Sequence, residues 1–106
     1  MSEMGKNIKA IMKPYRARID DIDAQIIDLL RKRYDVIEEV GVLKTNEGIA
    51  PVLQDRVDEV RERAASMAAE KGMDEDFIRN LYAQLIKHCC DLEQTIMDDL
   101  KTKKES

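Results

Sequence analysis

Apolar side chains recur with helical spacing at Ile8, Ile11 and Tyr15 and hold it through Ile19, Ile22, Ile26, Leu29, Leu30, Ile37 and Val40. Pro14 suits a first helical turn, so the helix is expected to begin near Lys13, with residues 1–13 a flexible, loosely attached segment. No Pro or Gly follows until Gly41, which a long helix tolerates, and Thr45-Asn46-Glu47-Gly48 ends the run. About 32 residues at 1.5 Å each make a helix of roughly 48 Å. A compact domain of this length has a radius of gyration of about 13 Å, hence a diameter of only about 33 Å. The helix overshoots its own globule. An apolar stripe that extends beyond it needs another chain to cover it, which predicts a dimer with the long helices packed together.

Two shorter helices are expected after it. Residues 48–51 read as a connecting loop. A helix over residues 54–71 then presents Val57, Val60, Ala64 and Met67 on one side, with Gly72 as its C′ residue. Asp74 reads as the N-cap of a third helix, with Met73 and Ile78 spaced as a hydrophobic staple. Its inner face is read as Ile78, Leu81, Leu85, Cys89, Leu92, Ile96 and Leu100. Residues 101–106 are a charged tail expected to fray, which places the folded domain over residues 14–100. The chain has four Gly, two Pro, no Trp and one Phe, and neither strand alternation nor an internal repeat. The expected fold is all-α, three helices with one very long.

Several function classes drop out. Charged residues are 38% of the chain, yet the net charge is −4 and the signs are mixed throughout. No basic face tracks a phosphate backbone, so no nucleic-acid partner is expected. No stretch approaches the roughly 20 apolar residues that span a bilayer, and the N-terminus lacks a signal-peptide pattern, so no membrane association is expected. Cys89 and Cys90 are adjacent in a helical pattern, where their side chains diverge by about 100° and cannot form an ordinary disulfide. Together these features point to the cytoplasm. With His88 the single histidine, neither a His-based metal cluster nor a His triad is available within the chain, and no metal is expected.

A charge on the buried stripe says more than one on an exposed face, because burying it unpaired is expensive. The first stripe continues from Leu30 to Arg33, Ile37, Val40 and Lys44. Arg33 and Lys44 are three helical turns apart, within about 20° in azimuth and roughly 16 Å apart along the axis. Glu93 follows Cys89 by one turn and precedes Met97 by one, on or beside the apolar face of the third helix. Long Arg and Lys side chains can snorkel from a stripe edge, and an inward Glu can simply pair with one of them. Two cations and a carboxyl in a bundle core also suit a small dianion. Residue patterning alone leaves both readings open.

The run Tyr15-Arg16-Ala17-Arg18-Ile19-Asp20-Asp21-Ile22-Asp23, then Leu29-Leu30-Arg31-Lys32-Arg33, then Glu39-Val40-Gly41-Val42-Leu43-Lys44, resembles the first helix of the all-α, type II chorismate mutases. Pro51-Val52, Asp55-Arg56, Gly72-Met73-Asp74 and Phe77-Ile78 extend the likeness over roughly residues 15–97. The resemblance implies three helices per chain in an intertwined homodimer with two identical sites, and the conversion of chorismate to prephenate. It implies that Arg33 holds one substrate carboxylate and that Arg16, reaching across the dimer interface, holds the other. Lys44 would donate to the ether oxygen of the breaking C–O bond, and Arg56 would sit at the rim and help position the substrate. Glu93 stands where the family carries Gln or Glu as second donor to that oxygen, and Cys89 where some members place Ser near a carboxylate. The rearrangement is pericyclic, so no cofactor is expected. Confining a flexible dianion and stabilising charge on the ether oxygen suffice. Guanidinium forks match carboxylates, and Glu93 donates only when protonated, so mildly acidic conditions are expected to favour turnover.

Three departures from the family pattern bear on the substrate. Val57 follows Arg56 where typical mutases have a Glu that hydrogen-bonds the substrate hydroxyl. The loop over residues 51–56 is about one residue shorter than usual, and Leu53-Gln54 stands where an Asp is common. Arg-Val at this point resembles the isochorismate–pyruvate lyases, which share the fold, although those tend to carry Gln at the position of Glu93. Loss of the hydroxyl contact is expected to reduce chorismate affinity by about 1 kcal/mol. Alternatives to a chorismate mutase are therefore a lyase acting on isochorismate, another chorismate-type pericyclic enzyme, or a weakly active binding or regulatory module.

Overall fold

The computed structural model describes residues 7–105, with side chains through Lys103. It contains three helices, α1 (Ile8–Glu47), α2 (Gln54–Glu70) and α3 (Glu75–Glu105), and no strand among the described residues. The fold is all-α, as the residue pattern predicts. None of these helices is long and apolar enough to cross a membrane.

The start of α1 differs from the expectation built on Pro14. Asn7 is the N-cap: its side-chain oxygen accepts the Ala10 N–H at 3.2 Å and its carbonyl accepts the Ile11 N–H at 3.1 Å. Pro14 is therefore interior to the helix, where it withholds a donor from the preceding turn at a cost of about 3 kcal/mol. At the other end α3 runs on to Glu105, beyond the expected boundary at residue 100. Residues 1–6 of the expected N-terminal segment and Ser106 of the tail lie outside the described residues.

The chain divides into two compact units, Met1–Arg33 and Tyr34–Ser106. The described part of the first is a single helical segment. Its Ile8, Ile11, Tyr15, Ile19, Ile22 and Ile26 are 47–67% exposed, an apolar stripe left bare along one helix.

The second unit holds the last turns of α1 together with α2 and α3. Ala64, Ala65 and Ala68 of α2 are buried, and Ala64 and Ala68 cluster with Ile78 of α3 and the half-buried Tyr82. Small side chains on this seam bring the two helix backbones close, and that rotates the inner faces from those expected. On α3 the buried line runs through Ile78, Ile86, Cys89, Glu93 and Met97, while Leu81 stays 45% exposed. Met67 of α2 likewise points outward. Both turns use glycine with positive φ, +66 at Gly48 and +73 at Gly72. At the end of α2, Met73 N–H donates to Ala68 O at 2.8 Å and Gly72 N–H to Ala69 O at 3.1 Å, a Schellman closure. Asp74 caps α3 as expected, its side chain accepting the Phe77 N–H at 3.0 Å. An exposed clasp adds to the α2–α3 seam, with Arg79 reaching the Glu62 carboxylate at 3.0 Å and Arg61 at 2.9 Å. These hydrogen bonds, Arg79's first and Arg61's second, lower the Glu62 carboxyl from 4.5 to about 2.

Candidate active site

Gly41 sets the approach of α1 to α3. It is the one buried residue of α1, and a Cβ built there would stand 3.1 Å from Ile96 Cδ1 and 3.3 Å from Ile96 Cγ2. One turn farther along α1 lies Lys44, and one turn back along α3 lies Glu93. The missing Cβ at Gly41 thus fixes the separation at which these two side chains meet. Lys44 Nζ lies 2.7 Å from Glu93 Oε1, with 13% and 6% of the respective side chains exposed.

This is a buried ion pair by distance and burial. The angles are less favourable, since Glu93 Oε1 is buried without a directed hydrogen bond. Distance governs the Coulomb attraction, so the pair stands as electrostatic, with hydrogen-bonding capacity to spare on the carboxylate. Lys44 also donates to the Pro51 carbonyl at 3.0 Å. That contact ties the α1–α2 loop to the ammonium.

Around the pair the wall is largely apolar. Cys89 is buried one turn before Glu93. Cys90 is half-buried, and its thiol is pushed above 9.0 by burial first and by the Glu93 charge second, with Lys44 opposing. A thiol so held is neutral near pH 7 and a poor nucleophile. Neither cysteine is in a disulfide. A cavity of about 320 Å³ opens beside Lys44, bounded also by Pro51, Gln94, Met97 and Lys101. A second, of about 340 Å³, lies between α2 and α3 and is lined by Val52, Gln54, Val57, Ile86 and Cys90 among others. Each falls at the lower end of the range for small-molecule sites.

Of the residues singled out in the sequence, Lys44, Glu93 and Cys89 come together here. Val57 is half-buried at the second cavity. Arg56 is exposed and paired with Glu59 on its own helix. Arg33 is half-buried and Arg16 exposed, both in the N-terminal unit. Sequence reasoning passed over two participants. Cys90 was recoverable from its i,i+3 spacing to Glu93 on one helix. The Pro51 carbonyl was not, because a backbone acceptor leaves no mark in residue type.

The family described as chorismate mutase type II matches residues 15–94. A 4-amino-4-deoxychorismate mutase of Streptomyces venezuelae is 35% identical over 82 residues, covering 77% of this chain and 80% of the relative. A protein of the same name from Streptomyces pristinaespiralis is 36% identical over 78 residues, 74% of this chain and 60% of the relative. An isochorismate pyruvate lyase of Pseudomonas aeruginosa is 34% identical over 71 residues, 67% of this chain and 69% of the relative.

Proposed function

The chain belongs to the chorismate mutase type II family and is an isomerase of that family, and we propose that its reaction is the Claisen rearrangement of chorismate to prephenate. The observation that carries the proposal is the buried Lys44–Glu93 pair, 2.7 Å apart beside a cavity of about 320 Å³. In the reaction the ether C–O bond breaks as a C–C bond forms within one molecule, and no atom is gained or lost. Negative charge grows on the ether oxygen as that bond lengthens. A water-poor ammonium aimed at that oxygen stabilises the transition state more than the ground state. Lys44 supplies it.

Glu93 is the second group at the oxygen. It accepts while ionised and donates only when protonated, whereas a glutamine at this position would donate in either case. Arg33 and Arg16 take the two substrate carboxylates, Arg16 from a second copy of the chain. That copy also covers the bare isoleucine stripe of α1, whose burial is worth about 1.5–3 kcal/mol for each side chain fully enclosed. Arg56 is assigned to the rim, the buried Cys89 backs the Lys44–Glu93 pair, and Val57 meets the ring from the neighbouring cavity between α2 and α3. The enzyme works in the cytoplasm with reduced thiols.

A second reading follows from the two Streptomyces relatives, whose names give the 4-amino analogue as substrate. Val57, where a Glu would contact a hydroxyl, fits a different ring substituent as well. Purified protein incubated separately with chorismate, 4-amino-4-deoxychorismate and isochorismate separates the readings. Prephenate as the dominant product supports the first, and rearrangement of the amino analogue alone supports the second. Salicylate and pyruvate from isochorismate would make the chain a lyase. With the accepted substrate, Glu93→Gln should keep turnover and Glu93→Ala should lose most of it; equal rates in the two variants rule out Glu93 as a hydrogen-bonding group at the ether oxygen.

A further inference from the structure

The α1–α2 loop grips Lys44 at both ends. Ile49 N–H donates to the Lys44 carbonyl at 2.8 Å, and Lys44 Nζ donates to the Pro51 carbonyl at 3.0 Å. The first bond closes because Gly48, between them, takes φ +66, a torsion that L side chains rarely adopt. A Cβ built on Gly48 would meet nothing within 4 Å. The constraint at this position is therefore torsional and owes nothing to crowding.

An ammonium has three N–H donors on a flexible four-carbon stem. Here one is directed at the Pro51 carbonyl, while Glu93 Oε1, 2.7 Å away, attracts the group without a directed hydrogen bond. The bond to Pro51 is thus a directional contact that limits where the remaining N–H groups point. Without the loop contact only Glu93 would orient the group, and the stem could rotate about that single attachment.

We propose that Gly48 is a positioning residue for catalysis, its left-handed turn placing the Pro51 carbonyl so that one Lys44 N–H is held ready for the reacting oxygen. This rests on the mutase reading above and adds a residue that acts through Lys44, although its backbone also borders the cavity beside that side chain.

The test compares wild type, Gly48→Ala and Gly48→Asn by steady-state kinetics, melting temperature and NMR of the Lys44 ammonium protons. Gly48→Ala should lower kcat on the order of tenfold, as small misplacements of a catalytic group do. KM should change little, and the ammonium protons should lose protection from exchange. Gly48→Asn should recover most of the kcat, because Asn tolerates the left-handed region. A lower melting temperature with wild-type kcat and an unchanged ammonium signal would overturn the proposal, as would equal loss of kcat in both variants. Should Gly48→Ala fail to fold, a glycine inserted after Gly48 decides: it keeps the left-handed turn but shifts the Pro51 carbonyl, and wild-type kcat with an unchanged ammonium signal in that variant also overturns the proposal. Absence of turnover in wild type with chorismate, its 4-amino analogue and isochorismate would instead sink the mutase reading. The ammonium signal in the Gly48 variants would then still report on the loop.

Discussion

Lys44→Met should destabilise the fold more than Glu93→Met, and the double variant should cost well under the sum. The asymmetry comes from what each change leaves behind. Without Glu93, the ammonium keeps 13% of its side-chain surface and its bond to the Pro51 carbonyl. Without Lys44, a carboxylate 6% exposed is left, with one oxygen already lacking a directed hydrogen bond. Breaking a buried pair costs about 3–5 kcal/mol when the survivor keeps its charge. We therefore expect about 4 kcal/mol for Lys44→Met and about 3 kcal/mol for Glu93→Met, with Met filling much of each volume. The double variant removes both charges, so the coupling should be about 2–3 kcal/mol. For a domain near 100 residues each kcal/mol moves the melting temperature by about 4–8 °C, so both losses are large on that scale. Urea unfolding of the four proteins at pH 7 and one protein concentration measures the cycle. Single-variant costs that add to within about 0.5 kcal/mol would show that the two groups do not act as a pair.

Other outcomes follow from features outside the pair. Gly41→Leu should destabilise by about 1–3 kcal/mol, since its Cβ would start 3.1 Å from Ile96 and the rest of the side chain has no room; denaturant midpoints at unchanged slope check this. Asp74→Ala should cost about 1 kcal/mol through loss of the cap on the Phe77 N–H, read in the same experiment. Glu62 should titrate at about 2 by carboxyl NMR and return toward 4.5 in Arg79→Gln. Because its folded value is the depressed one, this contact favours the folded state above 4.5 and is lost as pH falls toward 2, and added salt should weaken it.

The parts of this fold legible in the sequence are those governed by local chemistry. Gly48 and Gly72 mark helix ends because only glycine takes their torsions cheaply, and Asp74 marks a start because its oxygen caps a free N–H. The start of α1 was open to the same reasoning at Asn7, but Pro14 outweighed it; a proline disfavours a helix interior without forbidding it. The inner faces of α2 and α3 were harder. Alanine carries little hydrophobic signal, so Ala65 and Ala68 gave no hint that the seam would run through them, displacing Leu81 and Met67 to the surface. Lys44 and Glu93 could each be placed on an apolar face from spacing alone. Their meeting depends on Gly41 opposing Ile96, a contact between distant parts of the chain.

The alanine seam also bears on the order in which the molecule assembles. Ala64 and Ile78 are close in sequence, whereas Lys44 and Glu93 are separated by the whole of α2, and closing the longer loop costs more entropy. Alanine gives up no rotamer freedom on burial, so the α2–α3 hairpin can zip early at little entropic cost. The end of α1 then docks on a surface already formed, and the two charges leave water last, onto a prepared template. Changes in the hairpin should therefore slow folding, while changes at the charged pair should mainly hasten unfolding.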